Sequence, residues 1–211
     1  MKTDQLVQLL ARDTTLRQSP GRSLLAALLP AGFVTATGFA LLVGVRPDLP
    51  AALRSPWFDL KVLLNAALWL AATGLLLRLA RPGASLRGWW PALCAVPIVL
   101  VLAIGVELLR VPPDQWWTLA QGSNSTWCLR VIPALAGAPL LAALLALRNS
   151  APAHPARTGA MAGLMSAGLA ATLYALHCPD DSPLFVGLWY VLAAAIVTAA
   201  GALLGARWLR W

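Results

Sequence analysis

Apolar residues in this chain come in long unbroken runs rather than alternating with polar ones. Six runs, at 24–45, 62–80, 89–106, 131–147, 159–176 and 184–206, are separated by short segments that hold nearly all the charge. A bilayer core about 30 Å thick is crossed by about 20 apolar residues in a helix. Lipid offers no partner to backbone groups, so a spanning segment is either a helix or a strand of a closed barrel. Barrel strands alternate polar with apolar, and these runs do not. The pattern predicts an all-α polytopic membrane protein with six transmembrane helices spanning 24–211, preceded by a tail at 1–23. The first run is read as a retained helix. Its 22 residues exceed the roughly 7–15 of a signal-peptide core, and a polar tail of 23 residues precedes it.

Composition sharpens the picture. The chain of 211 residues is 59% hydrophobic and 11% charged, whereas soluble domains carry roughly a quarter charged residues. Its mean hydropathy is +0.72. Such hydrophobicity excludes disorder, and three cysteines in so long a chain exclude a secreted disulfide scaffold. The net charge of +8 raises the question of nucleic acid. The basic residues, however, stand singly or in pairs between apolar runs, not as a basic face, so no direct nucleic-acid binding is expected.

Positive charge sets orientation. The tail carries Lys2, Arg12, Arg17 and Arg22; the second-to-third connection Arg78, Arg81 and Arg87; the fourth-to-fifth Arg148 and Arg157; the C-terminus Arg207 and Arg210. These eleven face five on the other side, namely Arg46, Arg54, Lys61, Arg110 and Arg130. Both termini are therefore expected on the cytoplasmic side of a bacterial inner membrane, which the chain crosses several times. Most tryptophans, among them Trp57, Trp89, Trp90, Trp116, Trp117, Trp127 and Trp208, fall at expected water–lipid boundaries, where amphipathic rings are favoured. Trp69 and Trp189 lie inside runs and are read as packing residues. The fifth and sixth runs are rich in small residues, and Gly201 with Gly205 forms a G-x-x-x-G that favours close helix packing within the chain over dimerisation.

Little chemistry is available. The sequence holds no phosphate-binding glycine loop, no metalloprotease or hydrolase signature and no soluble domain to carry one, so no enzyme and no resident cofactor are expected. Glu107 and Arg78 sit at span ends and Asn65 is neutral, which argues against an ion relay in mid-membrane. A small-solute transporter or channel remains the alternative reading. A membrane thiol oxidoreductase is weaker, since no C-x-x-C occurs.

The distinctive constellation is sulfur on the outer face. Cys128 falls just before the fourth run and Cys178 just after the fifth, and the two runs form a hairpin, so their outer ends are neighbours. Cα atoms about 5.5–6 Å apart suit a disulfide, and the compartment outside an inner membrane is oxidising. His177 adjoins Cys178, which makes a soft-metal site of Cys128, Cys178 and His177 a further reading. Structural disulfide, regulated or ligand-binding thiol pair, and incidental cysteines all stand at this point. Cys94, inside the third run, is read as a small apolar residue. In the tail, Leu6, Leu9 and Leu10 share one face of a short amphipathic helix. That face suits either the lipid surface or a partner's groove.

The opening MKTDQLVQLLARD, the stretch NSTWCLRVIPALAGAPL, the block GAMAGLMSAGLAATLYALHCPDDSPLFVGLWY and the closing GALLGARWLRW together resemble the NrsF family, six-span inner-membrane anti-sigma factors named as negative regulators of sigma F. The resemblance covers nearly the whole chain. It implies an extracytoplasmic-function sigma factor as partner, held at the membrane and released under heavy-metal or oxidant stress. It also implies that the family's two periplasmic cysteines correspond to Cys128 and Cys178.

Overall fold

A computed structural model describes residues 20–80, 89–150 and 152–210. The tail face of Leu6, Leu9 and Leu10 lies outside the described residues. All regular structure among the described residues is helical. Six long helices run up and down: α1 (Pro20–Leu42), α2 (Pro56–Leu79), α3 (Trp90–Arg110), α4 (Ser125–Leu147), α5 (Pro155–Ala175) and α6 (Pro183–Trp208). Prolines occupy the first turns of α2, α5 and α6, where a missing N–H costs nothing and the fixed φ is already helical. Gly44, at φ +73, ends α1 in the left-handed conformation that glycine adopts without strain.

Four of the six helices, α1, α2, α3 and α6, are by themselves long and apolar enough to cross a membrane, and α4 is so together with the short turns at Pro113–Gln121 that lead into it. Their outward faces carry bare large side chains such as Leu29, Phe33, Leu41, Val101 and Leu109, an apolar surface that only lipid satisfies. α5 has the same length as α3, 21 residues, but is less apolar. The reason is its position. Twelve residues of α5 are buried against two of α3, so α5 meets protein where the others meet lipid. Its main neighbours are α6 and α2.

Glycine makes that central position possible. A Cβ on Gly205 would sit 2.7 Å from the Gly159 Cα and from the Pro155 carbonyl oxygen, and one on Gly201 would strike the Gly159 carbonyl. The G-x-x-x-G of α6 thus packs backbone to backbone on Gly159 and Gly163 of α5, within one chain. The opening of α6 is also unusual. Residues Val186–Tyr190 form a π-helical turn, and this wider winding brings Phe185 and Tyr190, five residues apart, edge to face with ring centroids 6.3 Å apart.

Candidate functional site: a buried thiol pair and its charged frame

α4 starts at Ser125, earlier than its apolar run, because a carboxylate draws the helix start outward. Asp180 accepts hydrogen bonds from the backbone N–H groups of Ser123 (3.1 Å) and Asn124 (2.8 Å) and from the Ser123 hydroxyl. An anion there satisfies orphan donors and complements the helix dipole. Gly122, at φ +56, permits the approach, since a Cβ would lie 2.9 Å from the Asp180 carboxyl carbon. Cys128 therefore stands in the first turn of α4, not just ahead of it.

Cys178 follows α5 by three residues. Both sulfurs are fully buried and free, and they lie within hydrogen-bonding reach of each other. The hydrogen bond from the Cys128 thiol, and after it the charge of Lys61, pull the Cys178 pKa below the ordinary thiol value against the opposing effect of burial. Tyr174 and Tyr190, ring centroids 6.0 Å apart, wall the pair. Their hydroxyls are buried without a well-formed hydrogen bond. The surroundings of the pair are buried, aromatic and chemically soft.

The loop carrying Cys178 is held from every side. Its Cys178 carbonyl accepts from Lys61 Nζ at 2.8 Å and from Arg46 Nη1 at 3.3 Å. Asp181 bridges the same two cations, at 2.5 Å from Lys61 and 2.9 Å from Arg46. Arg46 is shared with Asp48 at 2.7 Å, and that exposed carboxylate is held below its usual pKa by the guanidinium. The Arg46 N–H donates to the Leu176 carbonyl. Glu107 of α3 accepts from the Ser182 hydroxyl (2.7 Å) and the Leu184 N–H (3.0 Å), capping the start of α6. Residues 176–184 thus join the α1–α2 connection, α2, α3, α4, α5 and α6.

Of the expected site residues, Cys128 and Cys178 meet, and His177 does not join them as a third ligand. Its Nδ1 lies 3.0 Å from the Gly44 carbonyl, which can only accept, so Nδ1 carries a proton. Among the described residues no group of three His, Cys, Asp or Glu side chains is placed to hold a metal ion. Cys94 is exposed on α3 toward the opposite end of the bundle. Lys61, grouped by sequence with the connection cations, is instead inside α2 with a fully buried side chain. The Arg46–Lys61–Asp181 cluster was not readable beforehand, although the acid-rich 178–184 segment facing a basic connection was a usable signal.

A family model described as "Negative regulator of sigma F" matches residues 10–211. "Probable anti-sigma-F factor NrsF" of Azospira oryzae is 36% identical over 215 residues, and "Anti-sigma-F factor NrsF" of Caulobacter vibrioides is 36% identical over 217 residues. In both cases the whole of each chain is covered. No solved structure matches. A chain that shares its full length with these proteins, and all but nine residues with the family model, belongs to the NrsF family of negative regulators of sigma F.

Proposed function

We propose that this protein is a membrane-embedded anti-sigma factor that holds a sigma factor of the extracytoplasmic-function class at the inner membrane. Release follows when an oxidant or soft metal bridges Cys128 and Cys178. The full-length likeness to two proteins named anti-sigma-F factors supports the regulatory role. The observation that carries the sensing step is the meeting of two free, buried thiols, one in the first turn of α4 and the other on a loop bonded to the other helices. Bridging them pulls on Cys178, whose carbonyl and neighbouring Asp180 and Asp181 hold α2, the α1–α2 connection and α4. Two coordinating thiolates suffice for a soft metal that prefers sulfur. A signal moves a two-state protein only through different affinity for the two states, and taking a population from 1:99 to 99:1 needs about 5.5 kcal/mol.

In this reading both termini are cytoplasmic, residues 1–23 form the cytoplasmic tail, and Leu6, Leu9 and Leu10 contact the sigma factor. A transporter would need a hydrated mid-membrane cavity. The mid-membrane groove of about 540 Å³ between α2, α3 and α6 is instead lined by apolar side chains apart from Asn65, Tyr190 and Thr198. The test is co-purification from gently solubilised membranes. A sigma factor should accompany the wild type and be lost with Leu9→Asp. Absence of any sigma factor from wild-type membranes contradicts the proposal.

A further inference from the structure

At the end of the bundle away from the thiols, the last turns of α4 and α6 enclose a pocket of about 530 Å³ lined by Leu144, Leu145, Arg148, Arg207, Trp208 and Arg210. None of the three arginines makes an ion pair or side-chain hydrogen bond with another described residue. The described acids, Asp48, Asp59, Glu107, Asp114, Asp180 and Asp181, all lie at the thiol end, about a membrane thickness away, so none of them can neutralise these cations. The two walls are alike. On α4, Leu141 and Leu145 lead at four- and three-residue steps to Arg148, the C-cap residue, which is still helical in conformation. On α6, Leu203 lies one turn before Arg207, and Arg210 follows just past the helix end at Trp208. Leu141, Leu145 and Arg148 form one helical stripe, and Leu203 and Arg207 another. Leu141, Leu145 and Leu203 are exposed, so each stripe runs from a bare apolar stretch at membrane depth to guanidinium groups at the boundary. Trp208, also exposed, sits at that boundary.

Charge above and hydrocarbon below is the profile of one ligand class. We infer that this pocket binds the phosphate headgroup of an anionic phospholipid, with an acyl chain descending along Leu145, Leu141 and Leu203. Guanidinium groups pair with phosphate oxygens in bidentate fashion, and basic pockets between helix ends are where such headgroups lodge. An acidic protein surface would answer the arginines but not the bare leucines beneath them.

The test uses the full chain in neutral detergent, with bound lipid read by native mass spectrometry after addition of phosphatidylglycerol, cardiolipin or phosphatidylcholine. The wild type should retain one molecule of either anionic lipid and none of phosphatidylcholine. The triple variant Arg148→Gln, Arg207→Gln, Arg210→Gln should bind about a hundredfold more weakly, given the usual gain per basic residue at an anionic surface. Arg130→Gln, at the other end, should bind like the wild type. Each variant's melting temperature confirms that it folds. Equal retention by wild type and triple variant overturns the inference. So does full competition by inorganic phosphate at millimolar concentration, which would mark a site for free anions. A triple variant that binds lipid normally but loses a co-purified sigma factor also overturns it, making the pocket a protein-docking site while leaving the anti-sigma reading intact.

Discussion

The two ends of this bundle use the same residue types in opposite ways. At the thiol end, Arg46 and Lys61 are buried and spend their charge on Asp181, Asp48 and the Cys178 carbonyl. At the other end, Arg148, Arg207 and Arg210 are exposed, with none of the described acids near them. One end is cross-linked internally, and the other presents charge outward. The distribution of acids, more than that of bases, makes the difference. An arginine near the bilayer boundary becomes part of the frame only where the chain supplies a carboxylate to desolvate with it.

Breaking the frame should cost the most. Asp181→Asn leaves Lys61 buried without its carboxylate, and removal of one partner of a buried pair costs about 3–5 kcal/mol. A large drop in melting temperature in detergent is expected. Lys61→Met should cost clearly less, because Asp181 keeps Arg46 and the buried position accepts an apolar chain. Equal losses for the two variants would show that the pair is solvated and not part of a buried frame.

Next in size is the glycine contact. Gly201→Val forces its side chain into the Gly159 carbonyl, and overpacking of this kind costs about 1–3 kcal/mol. The same exchange at Gly32 of α1, which has open space around it, should leave the melting temperature nearly unchanged. If both behave alike, α5 and α6 do not touch as described.

Removing the cap is smaller again. Asp180→Asn gives up a charge at the α4 N-terminus, about 0.3–2 kcal/mol. It also loosens the tie between the loop and the helix that carry the two thiols. Alkylation of Cys128 and Cys178 should accelerate in this variant, and an unchanged rate would show that Asp180 does not guard the pair.

Smallest of all is Arg148→Gln, an exposed change expected to stay within about 0.5 kcal/mol. A melting temperature that falls as far as that of Asp181→Asn would erase the contrast between the two ends.

Much of this was legible in the sequence, and the reasons differ by feature. Unbroken apolar runs gave away the helices, since nothing else buries so many consecutive side chains in lipid. The central place of α5 was written in its Gly, Ala and Ser content, because a helix surrounded by protein needs small residues more than hydrophobic ones. The hairpin of α4 and α5 brought Cys128 and Cys178 together on topology alone. Lys61 and Asp181 were a different matter. They stand 120 positions apart, and no local pattern says which acid a given cation will choose. Pro56 was an overlooked sign that α2 begins before its apolar run and draws Lys61 inside. His177 looked like a ligand because it adjoins Cys178, but neighbours in a loop point apart, and its ring turned to Gly44.

The central claim is that the thiol pair governs the sigma factor, and one measurement addresses it most directly. Membranes carrying wild type, Cys128→Ser, Cys178→Ser or Cys94→Ser would be treated with a thiol oxidant, and the captured sigma factor counted per anti-sigma chain. Wild type and Cys94→Ser should lose most of the captured sigma factor after oxidation, whereas Cys128→Ser and Cys178→Ser should show no change on oxidation. If all four chains release it equally, the paired thiols do not control capture, and they serve only as packing.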